Sequence, residues 1–161
     1  MYNIKLRNEE FGELRMENIR QATIADLARI AEIEVFNYRL NFYPLFQSVD
    51  FYFNELQVHK LMEKYEKLVG SMWVYDEVAV KGFIQVENRE IKKLFVEPVL
   101  QGKSIGSKLL NFAINECNAD YLWALEKNVK AIKFYKRHNF YMTSDKKLEE
   151  DTTEYLIRLE R

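Results

Sequence analysis

The chain has 161 residues, of which 48% are hydrophobic and 14% aromatic, which is enough for one domain with a substantial core. Its 24 Lys and Arg residues nearly balance 25 Asp and Glu residues, and the net charge of -1 argues against a nucleic-acid-binding protein. A single cysteine, Cys117, excludes an internal disulfide, and no apolar run reaches the ~18 residues of a membrane span. We therefore expect a cytoplasmic protein with no membrane partner.

The N-terminal residues differ from the rest of the chain. Residues 1–15 are charged and weakly patterned, whereas Met16 begins a segment that is typical of the start of a domain. We expect residues 1–15 to be an extension (an accessory strand, a tail or a start-site artefact) and residues 16–161 to form the domain.

The first half of the domain is predicted to be mainly helical. After a short strand over 18–22, apolar residues recur at helical spacing, with Thr23 as the N-cap and Asp26 at the capping-box position. Pro44 closes this helical region, and a second helical segment is predicted from about 49 to 64. Eight aromatic residues lie between 36 and 53, and most of them are expected to pack in the core.

The second half alternates strands and helices. Asn128 is a candidate cap for the last helix, and Asn139 falls where a helix ends in a left-handed residue. The charged run DKKLEED is expected to be solvated between two final strands. The order predicts an α/β (α+β) domain with a mixed central sheet. The predicted strands are 71–75, 80–87, 89–96, 121–125, 140–143 and 155–159, and the predicted helices are 105–115 and 128–138.

The segment QGKS, from Gln101 to Ser104, looks like the end of a nucleotide-binding P-loop. A P-loop needs a glycine five residues before Gly102, and that position is Glu97. The P-loop interpretation therefore fails. A buried strand, a glycine-containing turn and a helix N-terminus still form a site for an anion, because free backbone N–H groups point outward there.

Two motifs in the right order resemble the GNAT N-acetyltransferases. The first is Leu94-Phe-Val96 followed by Q-G-K-S-I-G over 101–106, which is similar to the family's Q/R-x-x-G-x-G/A motif. The second is N-V-K-A-I-K-F-Y over 128–135. Ser104 and Asn139 replace glycines that are common in the family, and the resemblance covers about residues 17–161. It implies a single GNAT-like domain with helices on both faces of its sheet.

The resemblance implies acetyl transfer from acetyl-CoA, as co-substrate, to a primary amine by direct attack in a ternary complex. The CoA pyrophosphate would lie on the turn that opens the helix, and the pantetheine arm would pair with the preceding strand. The Val96 N–H would hold the thioester oxygen as it becomes an oxyanion. The implied cofactor-binding residues are Leu94, Phe95, Val96, Gln101, Gly102, Lys103, Ser104, Ile105, Gly106, Ser107 and Asn128.

Two residues take catalytic roles by the same resemblance. Tyr135 occupies the family's position for the acid that protonates the leaving thiolate, and Glu90 occupies the position of a base for the amine. Glu126 is a second candidate base, and water is a third. No metal site is expected, because His59 and His138 have no partner at metal-ligand spacing.

The acceptor and the assembly stay open at this level. A small-molecule or peptide amine fits the chemistry, and Tyr38, Tyr43 or Arg39 could contact it. Many family members are dimers, so the resemblance allows a homodimer. Two alternatives on the same fold are a non-catalytic acyl-CoA-binding module and a toxin-like enzyme acting on charged tRNA. The presence of Tyr135 and Asn128 argues against the first, and the net charge argues against the second.

Overall fold

The computed structural model describes residues 18–161, so the predicted extension over residues 1–15 lies outside the described residues. Within this range one mixed sheet has the strand order β1-β2-β3-β4-β5-β7-β6, and of its neighbouring pairs only β4 and β5 are parallel. The strands are β1 Ile19–Gln21, β2 Met72–Glu77, β3 Ala79–Glu87, β4 Glu90–Val96, β5 Tyr121–Leu125, β6 Tyr141–Leu148 and β7 Tyr155–Glu160.

Helices cover both faces of the sheet, as the sequence predicts. Thr23 and Asp26 form the predicted capping box before the first helix, and the Asn128 side chain accepts a hydrogen bond from Ala131 N to cap the last one. The helices are α1 Leu27–Asn41, α2 Tyr43–Phe46, α3 Val58–Tyr65, α4 Ile105–Glu116 and α5 Val129–Lys136. Across residues 18–161, no helix combines the length and apolar character needed to cross a membrane.

Two hydrophobic clusters divide the core between the faces. One joins α4 and α5 to the sheet through residues such as Leu109, Ile132 and Phe140. The other joins α1 and α3 to the opposite face through residues such as Ile33 and Tyr65. Because each face is covered by its own helices, the sheet is held between two apolar layers, which is the arrangement expected of an α/β domain.

Two predicted segments differ in the structure. The helical segment predicted over 49–64 is divided at Leu56 into a π-helical turn, Phe51–Glu55, and α3. The strand predicted to end at 143 continues to Leu148, because Lys146, Lys147 and Leu148 pair with β7. The sequence missed this extension because β6 is largely exposed and lacks the alternating apolar pattern of a half-buried strand.

The sheet opens where β4 and β5 lie side by side. The two strands pair at Glu90–Tyr121 and Ile91–Leu122 and then separate. On its other edge β4 has a bulge: Gln85 pairs with Lys93 and Val86 with Ile91, so Lys92 is an extra residue. A bulge bends its strand and increases the local twist. The bend at Lys92 therefore coincides with the opening of a cleft between the parallel strands.

Candidate active site

The edge of β4 that faces the cleft has free backbone groups. Glu97 N donates to Lys81 O at 2.8 Å, which continues the β3–β4 ladder. Hydrogen-bonding groups alternate along a strand, so Leu94 and Val96 point their N–H groups away from β3 and toward the cleft. Because β5 has already separated, no strand of the described chain reaches these two N–H groups.

The turn after β4 has the backbone of an anion site. Gly102 has a φ of 79° and Ser104 a φ of 63°, and α4 begins at the next residue, Ile105. The first N–H groups of a helix have no partner within the helix. Lys103 is exposed on this turn, and Gly106 is covered by Phe134, whose Cζ would lie 3.5 Å from an added Cβ. The turn is thus free to hold a phosphate group.

A buried amide network connects this turn to the first helix. Asn37, on α1, donates to Val96 O at 3.0 Å, and Gln101 Nε2 donates to Asn37 Oδ1 at 3.2 Å. Lys130 Nζ donates to Gln101 Oε1 at 2.7 Å. Asn37 is only 2% exposed, yet sequence reasoning missed it. The sequence pattern that could have identified Asn37 is a polar residue on the apolar face of α1 that also includes Ile30 and Ile33.

Helix α5 forms the wall of the cleft opposite β4. Asn128, Ala131 and Tyr135 all line the cavity that the cleft opens into. Tyr135 is 8% exposed, and its hydroxyl has no hydrogen-bond partner among residues 18–161. Burial raises the pKa of this hydroxyl above its usual value. The side chain therefore stays protonated at neutral pH and can donate its proton to a group in the cleft.

The two candidate carboxylate bases occupy different positions. Glu90 lies at the closed end of the cleft, where its carboxylate accepts from Lys92 Nζ at 2.7 Å and from Tyr121 Oη at 3.3 Å. Lys92 lines the cavity, whereas Glu90 lies just behind it. Glu126 is exposed beyond the end of β5 and accepts from Lys146 Nζ at 2.5 Å. Glu90 is thus one side chain away from the cavity, and Glu126 faces solvent.

The cavity has a volume of about 1100 Å³ and continues from the cleft to the aromatic segment. Tyr38 lines it, as the sequence allowed, but Tyr43 does not. Arg39 turns away, because it donates to Tyr52 O and stacks on the Phe53 ring. Within residues 18–161, no group of three or more His, Cys, Asp and Glu side chains could hold a metal ion.

A second buried network beneath the cavity was also missed by the sequence analysis. The Lys93 ammonium and the Tyr65 hydroxyl both contact the carboxylate of Glu34, whose side chain is 2% exposed. Lys93 lines the cavity, and its Nζ lies 6.0 Å from the centre of the Tyr38 ring. The sequence pattern that could have identified this network is the charged Glu34 on the buried face of α1. A buried carboxylate requires a partner, which Lys93 supplies from β4.

The comparisons with known proteins agree with this geometry. A family model described as an acetyltransferase (GNAT) domain matches residues 65–142. No curated protein matches the chain in sequence. PaiA N-acetyltransferase from Thermoplasma acidophilum, solved with coenzyme A, is 17% identical, with a TM-score of 0.71 over 89% of this chain and 98% of that one.

Two further solved structures have the same fold. An N-acetyltransferase from Staphylococcus aureus is 16% identical, with a TM-score of 0.67 over 88% of this chain and 98% of that chain. YncA from Salmonella typhimurium, a putative acetyltransferase solved with acetyl-CoA, is 21% identical, with a TM-score of 0.60 over 88% and 90%. The matched family model, the sheet that opens between β4 and β5, and these neighbours lead to one conclusion: residues 65–142 match a GNAT acetyltransferase domain, and the described chain has the fold of the GNAT acetyltransferases.

Proposed function

We propose that the protein is an N-acetyltransferase that transfers an acetyl group from acetyl-CoA to a primary amine by direct attack in a ternary complex. The observation that carries this proposal is the open edge of β4, with free N–H groups at Leu94 and Val96, leading directly into the anion-binding turn over 101–107. An extended arm with an amide backbone and a phosphate end fits this combination of groups. The GNAT neighbours that hold coenzyme A and acetyl-CoA support the same assignment.

The thioester would be activated at β4. When the amine nitrogen attacks the thioester carbon, negative charge develops on the thioester oxygen, and the Val96 N–H is available to donate to it. One such donor is typically worth ~3 kcal/mol of barrier. Asn37 and Gln101 bind the Val96 carbonyl, and we infer that they keep this residue's backbone in a fixed orientation.

The C–S bond then breaks, and the CoA thiolate needs a proton. Tyr135 is the donor in this proposal, since its hydroxyl borders the cavity and has no competing partner among the described residues. A thiol has a pKa near ~8.5, below that of tyrosine, and burial raises the tyrosine value further. The same apolar surroundings also raise the pKa of the CoA thiol. The difference between the two pKa values is therefore smaller than the tyrosine value alone suggests, which favours proton transfer from Tyr135 to the thiolate.

The amine must lose a proton before or during attack. Glu90 is the candidate base, and it would act through a water molecule because it does not line the cavity itself. Water alone is the alternative. Glu126 is less suited to this role, since its carboxylate is exposed and paired with Lys146.

The test is a panel of amines incubated with acetyl-CoA, in which free thiol is measured and the acetylated acceptor is identified by mass spectrometry. We expect amine-dependent thiol release and an N-acetyl product. A non-catalytic acyl-CoA-binding module would bind acetyl-CoA without releasing thiol for any amine, and that result would contradict the proposal.

A further inference from the structure

The part of the cavity beyond the cleft has an unusual distribution of charge, and we call this part the acceptor chamber. It is bounded by α1, α2, the π-helical turn and the turn between β6 and β7. Six acidic side chains and two lysines line the whole cavity. The six are Asp50, Glu55, Glu149, Glu150, Asp151 and Glu154.

Most of these carboxylates have no cation of their own. Within residues 18–161, Glu154 is the one member of the six with an ion-pair partner, Lys127. The two lysines of the lining are already neutralised, since Lys92 pairs with Glu90 and Lys93 pairs with Glu34. The chamber therefore has an excess of negative charge that the described part of the chain does not compensate.

The turn that holds four of these carboxylates is itself ordered by hydrogen bonds. Glu149 N donates to Glu154 O at 2.8 Å, and Thr152 donates through both N and Oγ1 to Glu149 O, at 3.2 and 3.0 Å. The pairing of β6 with β7 continues to Leu148 and Tyr155, directly before and after the turn. These four acidic side chains therefore lie on an ordered turn at the end of the β6–β7 hairpin.

A buried tyrosine whose hydroxyl is unpaired in the described chain gives an independent indication of a ligand. Tyr52 is 2% exposed and lines the cavity, yet its hydroxyl has no hydrogen-bond partner among the described residues. Burial and then the charge of Glu149 raise the pKa of Tyr52 to about 12. Glu149 and Tyr52 both line the cavity, and a ligand that donates hydrogen bonds there could contact both of them.

Aromatic rings also line the chamber, and they indicate which kind of ligand would bind there. Tyr38 and Phe42 lie 5.0 Å apart between ring centroids, and Phe51 meets Tyr52 edge to face at 4.9 Å. Aromatic faces attract ammonium groups and also cover alkyl chains. Carboxylates and aromatic rings line the same cavity, and together they form surroundings that suit an alkylammonium ion. A carboxylate-bearing acceptor would meet repulsion from the unpaired acidic residues.

We propose that the amine acceptor is a small alkylamine with at least two ammonium groups: one reacts as the free amine near β4, and the others bind the acidic and aromatic chamber. This inference rests on the proposed acetyl transfer and names its substrate class. One N-acetylation removes one positive charge, so the product should bind this chamber more weakly than the substrate does.

The experiment compares acceptors of different charge, among which diaminobutane and butylamine share the same four-carbon chain. Diaminobutane and spermidine are assayed against butylamine, against lysine, whose carboxylate tests repulsion, and against a lysine-rich peptide, with thiol release as the readout. We expect kcat/KM to be highest for spermidine, at least about fivefold lower for butylamine, and to fall with added salt for the polyamine only.

Matched variants assign the effect to the chamber. Glu149→Gln should lower kcat/KM for spermidine by about fivefold and leave butylamine unchanged, since it removes one partly exposed charge contact. Glu63→Gln, an exposed carboxylate on α3 outside the cavity, should change neither. Calorimetric binding of spermidine to the CoA-bound protein should weaken in Glu149→Gln alone.

The outcomes separate this inference from the proposed function. Thiol release with butylamine equal to that with spermidine, a preference for lysine or for the basic peptide, or equal losses in Glu149→Gln for both amines would overturn the polyamine assignment and leave acetyl transfer intact. Absence of thiol release with every amine would instead overturn the proposed function.

Discussion

Ile91 and Leu122 are the last residues at which β4 and β5 pair, and the cleft begins directly beyond them. The bulge at Lys92, on the opposite edge of β4, lies at the same point of the strand, and a bulge bends its strand and increases the local twist. The consequence is a strand with two unpaired N–H groups in the interior of a sheet. Such groups are costly when they are buried without a partner, so the cleft is prepared for a ligand that supplies one.

Tyr135→Phe separates catalysis from packing. The hydroxyl has no protein partner among residues 18–161, so its removal should leave the fold and the acetyl-CoA affinity unchanged. Loss of a general acid typically costs ~10²–10⁴ in rate, and we expect the lower end because a thiolate is a fair leaving group. Steady-state kinetics and calorimetry on the same preparation check this. An unchanged kcat with a lower melting temperature would show that Tyr135 only packs.

Glu90→Gln tests the base. If Glu90 accepts the amine proton, directly or through water, the rate should fall most at pH values below the amine's own pKa and recover as the pH rises. The measurement is kcat/KM against pH for one amine in both proteins. Two parallel profiles would remove Glu90 from the mechanism and leave water as the base.

Ser104 occupies a backbone conformation that favours glycine, with a φ of 63°. A non-glycine residue in this region costs ~1–2 kcal/mol, partly offset because glycine makes the unfolded chain more flexible. Ser104→Gly should therefore raise the free energy of unfolding by ~0.5–1 kcal/mol, and Ser104→Ala should not. Thermal or denaturant unfolding of both variants gives the answer. A gain in Ser104→Ala would mean that the hydroxyl, and not the backbone, is the source of strain.

The ion pair between Lys93 and Glu34 is expected to be essential for stability. Lys93→Met leaves the Glu34 carboxylate buried without its cation, which typically costs ~3 kcal/mol or more. Adding Glu34→Gln should recover a large part of this loss, because the uncompensated charge disappears. Denaturant unfolding of the single and double variants measures both effects. Additive losses in the double variant would show that the two residues do not act as a pair.

Asp26 makes the free energy of unfolding of the domain depend on pH in the acid range. Hydrogen bonds from Arg20 lower the pKa of Asp26 to about 2, below its usual 3.8. A carboxyl whose pKa is lowered by folding stabilises the protein above its unfolded pKa, and this contribution is lost as the pH falls through the folded value. We expect ~2 kcal/mol to be lost between pH ~4 and ~2.

Unfolding measured against pH checks the Asp26 contribution. Asp26→Asn should lack this component of the acid limb, whereas Asp145→Asn, with its exposed carboxylate 3.7 Å from Arg158, should keep it. If Asp26→Asn loses as much free energy of unfolding at low pH as the wild type does, the loss comes from other carboxyls.

The local features of this fold were predictable from sequence because each depends on neighbours in the chain. The Asn128 cap, the left-handed Asn139 and the start of α4 at Ile105 follow from residue type and spacing. The networks around Asn37 and Glu34 were not predictable in the same way. Each joins α1 to β4 over 59 residues of sequence, and no local pattern specifies which strand supplies the partner.

The acceptor chamber illustrates the same limit. The run DKKLEED has the composition of a solvated loop, yet the pairing of β6 with β7 brings Glu149 and Asp151 to the cavity. A charged segment has the same composition whether it faces bulk water or a ligand. Tertiary structure alone distinguishes the two.

Calorimetric titration with acetyl-CoA tests most directly whether the opening between β4 and β5 is a cofactor cleft. We predict saturable 1:1 binding of acetyl-CoA, retained in Tyr135→Phe, and no binding of ATP, since the turn over 101–107 lacks the P-loop spacing while the β4 edge suits a pantetheine arm. At ~100 times its Kd, acetyl-CoA should add ~2.7 kcal/mol to the free energy of unfolding. Binding of ATP without binding of acetyl-CoA would contradict the account.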